Sequence, residues 1–299
     1  MKGADMTLKH LRIFSEVYQC MNVTKAAKKL HMAQPAVTRS IQELETYYGI
    51  SLFERFNHRL HRTASADELY SRAVHILASV EELDSVIRDN SRIESLHIGG
   101  TMTMGNFILP SAIAEFHKIC PDVKVKVIVS KSSDIQQRIL DNRLDLALIE
   151  ENVTSEYLNK EFLCEDFMSL IFPKGHPLSD KKRIYMKNLN KFPMLLREEG
   201  SASRTYLEHV FAMHDIAVEP VWESTSSQAL INAVAKGIGI SILPEKLVQR
   251  DLAEGKIESR KIQDEELKRK AYVLWHRQKN ISKELKLLKE LCRKVVEKG

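Results

Sequence analysis

Cysteine is scarce in this sequence, and its few cysteines show no pattern of a metal site or a disulfide framework. Cys20, Cys120, Cys164 and Cys292 are far apart, with no C-x-x-C pair and no histidine at ligand spacing. A structural zinc site and a disulfide-stabilised scaffold are therefore excluded as organising features. We expect no bound metal.

Long apolar runs are missing too. No stretch approaches the roughly 18 consecutive apolar residues of a membrane-spanning helix, and the N-terminus lacks the apolar region of a signal peptide. We therefore expect a cytoplasmic protein.

The short motifs that often mark catalysis are also missing. The sequence contains no G-x-S-x-G, H-E-x-x-H, G-x-x-x-x-G-K or G-x-G-x-x-G segment. Gly237 and Gly239 follow a predicted helix instead of opening one, which is typical of a helix end. We expect neither an enzyme nor a bound cofactor.

Positive charge, by contrast, is concentrated at the start of the chain. Residues 1–65 contain ten Lys and Arg against five Asp and Glu, and this excess equals the net charge of +5 of the whole protein. The remaining 234 residues carry 35 charges of each sign. An excess confined to one segment favours a domain that binds phosphates of nucleic acid.

Two short helices joined by a tight turn are predicted within this basic segment, over residues 22–45. Thr24 is a suitable N-cap for the first helix. In the second helix Val37, Ile41 and Leu44 recur at spacings of four and three, so they face inward. The outward side chains are of the kind that reach bases or phosphates in a major groove. The pattern predicts a helix-turn-helix that binds duplex DNA; an ordinary helical hairpin with a solvated polar face is the alternative.

Flanking segments complete a predicted DNA-binding domain over residues 1–64. Upstream, an amphipathic helix containing Leu11 and Phe14 can cover the helix pair. Downstream, residues 52–55 and 60–63 form a two-stranded wing with a basic tip. Three helices and a wing make an all-α winged helix-turn-helix. The predicted DNA contacts are Thr24, Gln34, Pro35, Thr38, Arg39 and Gln42 in the helix pair and Arg55, Arg59 and Arg62 in the wing.

A long linker helix is predicted next, over residues 65–91. Ser65–Glu68 has the pattern of a capping box that can start it. Apolar residues then recur at alternating spacings of four and three over nearly three heptads, which favours pairing with a second copy of the chain. A helix packed on its own domain is the alternative, although it would more often show a broader stripe. The predicted dimer seam consists of Leu69, Ala73, Ile76, Val80, Leu83 and Ile87.

Residues 92–299 alternate strands and helices in the order expected of an open α/β sheet. We expect two lobes, lobe I over about 92–168 and 269–299 and lobe II over about 169–268. Two crossings join the lobes and leave a cleft between them. Small ligands bind in such clefts at the carboxyl ends of strands.

Four strand-to-helix turns in this region place hydroxyl groups at or near helix N-termini. Helix N-termini offer unpaired N–H groups and partial positive charge, so converging turns would make an anion site. Arg204 could add a charge-assisted hydrogen bond. Ordinary N-caps without a ligand are the alternative. The predicted effector contacts are Thr101, Met102, Thr103, Ser130, Ser132, Ser201, Ser203, Arg204 and Thr225.

The segment NVTKAAKKLHMAQPAVTRSIQELE with the following GISLFER resembles the N-terminal domain of LysR-type transcriptional regulators. It matches their pattern at many fixed spacings, among them Gln34, Pro35 and Phe53. One departure is Ala33, where the family usually has Ser; the recognition helix thereby loses its preferred N-cap, a change of about 1 kcal/mol. Another is Arg62–Ala66, which replaces the family's Leu-Thr-Pro-Ala-Gly.

The resemblance continues through IGGTMTMGNFILP, LDLALIEE, PKGHPLS and AVAKGIGISILP, which are similar to the effector-binding domain of the same family. It implies the type 2 periplasmic-binding-protein fold, a small-molecule effector in the cleft, and dimers that pair into tetramers. The segments T-M-T-M-G-N-F-I-L-P, L-I-E-E and R-E-E-G-S-A-S-R are also similar to the subgroup that includes regulators of sulfur assimilation responding to small oxyanions.

The sequence thus predicts a homo-oligomeric, sequence-specific DNA-binding regulator controlled by a small anionic effector. Two other hypotheses remain open at this point. One is an architectural DNA-binding protein without an effector, and the other is an α/β enzyme or binding protein whose N-terminal helices only dimerise it.

Overall fold

The structure, a computed structural model, describes residues 6–56, 59–89, 95–150, 153 and 155–298. Its chain divides into two compact units. The first contains the described residues up to Asp89 together with Leu140–Asn142 and Gln278–Asn280, and the second contains the rest from Ser95 onward.

The first unit is a three-helix bundle with a hairpin and a long helix. Buried side chains from all four helices form one core around Phe14, Val37 and Leu44. This confirms the predicted inward faces. The elements are α1 (Leu8–Cys20), α2 (Val23–Lys29), α3 (Gln34–Tyr48), β1 (Phe53–Phe56), β2 (Arg59–Arg62) and α4 (Ala64–Asp89).

Two predicted helix starts in this unit are wrong. The N-cap of α2 is Asn22, whose side-chain oxygen accepts a hydrogen bond from the backbone N–H of Lys25, so Thr24 lies inside the helix. Similarly, α4 begins at Ala64 because the Thr63 hydroxyl accepts from the N–H of Ala66. The predicted capping box therefore starts at the second residue of the helix, two positions after Thr63. In both cases two residues capable of capping lie close together, and the earlier one is used.

The helix α3 starts as the sequence predicts, without a side-chain cap. Ala33 occupies the N-cap position in an extended conformation, and no side chain satisfies the first N–H groups. The helix ends at Gly49, whose φ of 69° places it in the left-handed region that glycine adopts without strain. β1 and β2 then pair antiparallel as the wing. Of the predicted tip, residues 56–59, Phe56 and Arg59 belong to the strands, and residues 57 and 58 lie outside the described residues.

The predicted dimer seam on α4 divides into two parts. Ala73 is fully buried in the core of its own unit, and Leu69 packs partly against that core. Ala73 is therefore wrongly assigned to a dimer contact, because the first turns of α4 must cover α1. Further along, Ile76 and Leu83 are exposed and Val80 is half-buried. The side chain of Ile87 lies outside those that the structure describes.

The second unit is built on a mixed sheet of seven strands. Its elements are β3 (Ser95–Gly100), α5 (Met102–Phe107), α6 (Leu109–Ile119), β4 (Lys124–Val129), α7 (Ser132–Leu140), β5 (Leu146–Ile149), β6 (Leu158–Pro173), β7 (Leu195–Arg197), α8 (Ala202–Met213), β8 (Trp222–Ser224), α9 (Ser227–Ala235), β9 (Ser241–Pro244), α10 (Glu245–Ala253), β10 (Ile257–Arg260), β11 (Lys268–His276) and α11 (Lys283–Lys298). The strand order is β10-β6-β11-β5-β3-β4, and β9 pairs with β6 off this path.

The long strand β6 connects the two halves of this sheet. Its first part pairs antiparallel with β11, beside the parallel strands β5, β3 and β4. Its second part pairs with β9 and β10. A separate core lies beside that second part, around Leu170, Phe172 and Leu196. The sequence-predicted alternation of strands and helices is confirmed as a mixed α/β fold.

No helix among the described residues is long and apolar enough to cross a membrane.

Candidate functional site

The exposed face of α3 carries the residues predicted to contact DNA. Gln34, Pro35, Arg39 and Gln42 are exposed, whereas Thr38 is half-buried. The Gln34 Nε2 donates to the Thr38 hydroxyl at 3.2 Å, so the two side chains are held together. Polar donors and acceptors on one exposed helix face are the groups that hydrogen-bond to base edges.

Arg39 belongs to a short chain of charged side chains. Its Nε lies 2.9 Å from Oε1 of Glu43, and Nε2 of His10 lies 3.3 Å from the other carboxylate oxygen. The Arg39 hydrogen bond, with a smaller contribution from His10, lowers the pKa of Glu43. The carboxylate is therefore charged at neutral pH and orients the arginine along the helix.

The wing is fixed to the helices at its two ends. Oε1 of Glu45 accepts hydrogen bonds from the backbone N–H groups of Leu52 at 2.7 Å and Phe53 at 3.2 Å. Arg55 and Arg59 are exposed on the two strands. The third predicted wing arginine, Arg62, instead packs against an aromatic ring.

The guanidinium carbon of Arg62 lies 4.8 Å from the centre of the Tyr18 ring. The Tyr18 hydroxyl donates to Asp67 at 2.6 Å, and the ring stacks on Tyr70 at 3.9 Å between centroids. Burial, followed by the hydrogen bond to Asp67, raises the pKa of Tyr18. The base of the wing is thereby packed against α1 and α4, with about half of the Arg62 side chain exposed.

The second unit contains a cavity of about 450 Å³. Eight of the nine predicted effector residues line it: Thr101, Met102, Thr103, Ser130, Ser132, Ser201, Ser203 and Thr225. The other lining residues are Lys131, Asp134, Glu150, Arg197, Glu198, Ala202 and Arg269. The four turns identified in the sequence therefore do converge on one cavity.

Arg204 is the predicted effector residue that does not line the cavity. Its Nε donates to Glu208 at 2.6 Å, one turn later on α8, and its NH1 lies 3.9 Å from Glu223. Arg204 lies outside the cavity lining because Ser201 is the N-cap of α8 and Arg204 is the third residue of the helix. Its side chain follows the helix surface to the residue four positions on.

Arg197 is a cavity arginine that the sequence reasoning missed. It is 7% exposed, and its Nε and Nη2 donate to the carboxylate of Glu198 at 2.8 and 3.0 Å. Its NH1 also donates to the Ser227 hydroxyl at 3.1 Å. The sequence signal was a charged residue at the carboxyl end of a buried strand, Leu195–Arg197.

Arg269 is the second missed arginine. It forms a buried ion pair with Asp166, and its NH1 donates to the Ser203 hydroxyl at 3.1 Å. Burial raises the pKa of Asp166, while Arg269 opposes this rise. No local sequence pattern indicates Arg269, because its strand β11 follows the partner strand by about a hundred residues.

Glu150 completes the buried charged groups of the cavity. It follows strand β5 directly and is 3% exposed, and its Oε2 accepts a hydrogen bond from the Thr101 hydroxyl. The sequence contains a signal for this residue, because a carboxylate directly after an apolar strand is placed at the carboxyl end of that strand, where ligands bind.

Several cavity hydroxyls already have partners within the chain. Ser201 caps α8 by accepting from the N–H of Arg204, as the N-cap alternative expects. The Ser132 hydroxyl accepts from Gln136 at 3.1 Å. The pKa of Asp134 is lowered by its hydrogen bond to Arg138 and, to a smaller extent, by its hydrogen bond to the Ser130 hydroxyl. Six charged side chains line this cavity beside seven that carry hydroxyl groups.

Among the described residues there is no cluster of His, Cys, Asp and Glu that could hold a metal ion. The four cysteines are free thiols, and burial raises the pKa of Cys164 to about 11 and that of Cys292 to about 12.

Two protein-family profiles together match almost the whole chain. The profile of the bacterial regulatory helix-turn-helix protein, lysR family, matches residues 8–67. The profile of the LysR substrate binding domain matches residues 90–297. The gap between the two profiles, residues 68–89, lies within α4.

Curated relatives are similar over nearly their full length. The chain is 32% identical over 294 residues to the uncharacterized HTH-type transcriptional regulator YwqM of Bacillus subtilis, covering 97% of this chain and 99% of the relative. It is 30% identical over 262 residues to the HTH-type transcriptional regulator CysL of the same organism, covering 87% and 88%. It is 29% identical over 287 residues to the uncharacterized regulator YeiE of Escherichia coli K12, covering 96% and 97%.

Solved structures share the fold. A variant of full-length OxyR from Pseudomonas aeruginosa matches with a TM-score of 0.69 at 22% identity, covering 97% of this chain and 95% of that chain. Full-length BenM matches with a TM-score of 0.62 at 22% identity, covering 98% and 97%.

Proposed function

Because this chain belongs to the family of LysR-type transcriptional regulators, we propose that it selects its DNA site with the exposed face of α3 and grips the phosphates with the wing. It is a DNA-binding regulator with a domain for a small-molecule effector. Gln34, Pro35, Thr38, Arg39 and Gln42 would read base edges, and Thr24 would contact the backbone at the start of α2. The five α3 residues share one face of the helix, and all but Thr38 are exposed, which is the observation that supports this assignment. Arg55, Arg59 and Arg62 would bind phosphates.

Competition binding tests the assignment. A sequence-specific regulator prefers its operator over random duplex by about a thousandfold or more. An architectural DNA-binding protein would instead bind all duplex sequences with similar affinity. The salt dependence should be steep in either case, because phosphate contacts release counterions.

The effector, we infer, is a small anion held in the cavity of the second unit. Arg197 and Arg269 are buried there with guanidinium groups already fixed by Glu198 and Asp166. Fixed, desolvated guanidinium groups bind oxyanions and carboxylates strongly, since their N–H groups need no reorganisation. The hydroxyl groups of Thr103 and Thr225 and the Lys131 side chain line the same space.

A thermal-shift screen tests the anion. Sulfur oxyanions, carboxylates and phosphates should raise the melting temperature at constant ionic strength, and Arg197→Gln should abolish the shift. Arg250→Gln is a matched control, because Arg250 is an exposed, ion-paired arginine of the same unit. A melting temperature raised only by neutral compounds would contradict the anionic effector.

Oligomerisation is proposed to use the exposed part of α4, where Ile76, Val80 and Leu83 continue the heptad pattern. A dimer presents two copies of α3 to a two-fold-symmetric site, and the effector would change how dimers are arranged on DNA. Pairing of dimers into tetramers is part of the proposal. Since chromosomal DNA is the target, we place the protein in the bacterial cytoplasm.

A further inference from the structure

Two buried polar atoms in the cavity residues have no hydrogen-bond partner within the part of the chain that the structure describes. One is the acceptor Oε1 of Glu150, and the other is the donor Nε of Arg269. Both residues line the cavity, and they are 3% and 5% exposed. An unpartnered acceptor and an unpartnered donor therefore belong to two side chains that line the same cavity.

The remaining polar atoms of both side chains are engaged, so neither side chain is free to turn away. Glu150 accepts from the Thr101 hydroxyl through its other oxygen. The terminal nitrogens of Arg269 donate to Ser203 and Asp166. Buried polar groups in native proteins nearly always have a partner, and each exception calls for an explanation. A bound ligand in the cavity would supply both missing partners.

We propose that the effector carries its own hydrogen-bond donor beside its anionic group, an inference that rests on the anionic effector proposed above. An anionic oxygen of the ligand accepts from Nε of Arg269, and an O–H or N–H group of the same ligand donates to Oε1 of Glu150. Glu150 is then the residue that determines which anions bind.

An anion without a donor fits this cavity poorly for two reasons. It leaves Oε1 of Glu150 buried and unpaired, which costs as much as losing a hydrogen bond. It also adds a negative charge close to two carboxylates, since the charge of Glu150 already raises the pKa of Asp166. A proton on the ligand removes the first penalty and reduces the second.

The donor can come from two chemical sources. One is the hydroxyl group of a partly protonated oxyanion, and the other is the ammonium group of an amino acid. Matched pairs of probes separate them. Inorganic phosphate retains a hydroxyl near neutral pH while sulfate, of similar size and shape, has none; glycine carries an ammonium group while acetate has none.

The experiment measures binding of these four probes to the full-length protein by isothermal titration calorimetry at constant ionic strength. The wild-type protein should bind phosphate over sulfate, or glycine over acetate, by about 10- to 100-fold. Glu150→Gln keeps an acceptor and adds a donor, so the preference should fall to about threefold or less. Glu115→Gln, which removes an exposed carboxylate of the same unit, should keep the wild-type preference.

The outcomes separate this inference from the proposed function. If the anions bind but neither pair is discriminated, the role of Glu150 is wrong and the anionic effector stands. If none of the four probes binds the wild-type protein, both are wrong. Should Glu150→Gln not fold, as judged by circular dichroism, the wild-type ratios for the two pairs decide the matter alone.

Discussion

The Nε atom of Arg39 lies 2.9 Å from Oε1 of Glu43, one turn further along the exposed face of α3. The arginine side chain is 80% exposed, so the pair orients the guanidinium without removing it from solvent. Exposed ion pairs contribute little to stability. The pairing is better suited to presenting the guanidinium to DNA than to holding the fold together.

We therefore predict that Arg39→Ala weakens operator binding by about 1–3 kcal/mol while the urea unfolding midpoint stays unchanged. Arg72→Ala is the matched control, since Arg72 forms the same kind of exposed pair with Glu68 on α4. Binding is measured by fluorescence anisotropy. Equal affinity of the wild-type protein and the Arg39 variant would remove Arg39 from the DNA contacts.

The missing N-cap of α3 gives a second prediction. Ala33 has the extended conformation of an N-cap but offers no side-chain acceptor. Ala33→Ser should stabilise the protein by about 1 kcal/mol, since a serine hydroxyl can accept from the N–H groups of the first turn. Ala36→Ser, inside the same turn, should bring no gain. Urea unfolding of both variants checks the difference, and equal effects would contradict it.

Because of Tyr18, we expect the stability of the folded protein to change with pH in the alkaline range. Its folded pKa is raised by burial and by the hydrogen bond to Asp67. A raised folded pKa means that the stabilisation is fully present below the unfolded tyrosine pKa of about 10 and is lost as pH rises above it. Tyr18→Phe should cost about 1 kcal/mol near neutral pH, and this difference should shrink above about pH 10.

Urea unfolding of wild-type protein and Tyr18→Phe across that pH range tests the prediction. Tyr47→Phe is the control, because Tyr47 is about half exposed. A wild-type advantage that stays constant through the alkaline range would show that Tyr18 has an ordinary pKa.

Arg269 and Asp166 form a buried ion pair, so we expect the effects of substituting them on the free energy of unfolding to be strongly non-additive. The two side chains are only 4% and 3% exposed. Arg269→Met alone should destabilise the protein by about 3–5 kcal/mol, because it leaves a buried carboxylate unpaired. Adding Asp166→Leu should recover most of that loss. Urea unfolding of the two single variants and the double variant measures the coupling; additive effects would contradict it.

The exposed part of α4 predicts a dimer contact. Leu83 is 59% exposed and Ile76 is 45% exposed, an unusual state for large apolar residues at heptad spacing. Leu83→Glu should shift the protein from dimer toward monomer in sedimentation velocity. Ser79→Glu, an exposed position on the same helix, should not. A dimer unaffected by Leu83→Glu would place the contact elsewhere.

The fold was largely predictable because the signals behind it are local and periodic. Val37, Ile41 and Leu44 recur at helical spacing, and all three are buried as that spacing requires. The errors arose where two local signals compete. Asn22 and Thr24 can both cap α2, and only the packed structure shows that Asn22 does so.

The ligand cavity was predictable only in part. Hydroxyl groups at helix starts are visible in the sequence, and eight predicted residues do line the cavity. The arginines were not found, since Arg269 is brought to the cavity by pairing between distant strands. The charge of Arg204 and its place in the turn around Ser201 predict a charge-assisted contact, but helical geometry directs its Nε to Glu208.

Sequencing the DNA that co-purifies with the full-length protein from cells tests the central claim most directly. The account predicts enrichment of a few sites that share a two-fold-symmetric motif, and loss of that motif's enrichment in Arg39→Ala. Recovery of DNA without any shared motif, at equal yield from both proteins, would contradict a sequence-specific regulator that reads DNA with α3.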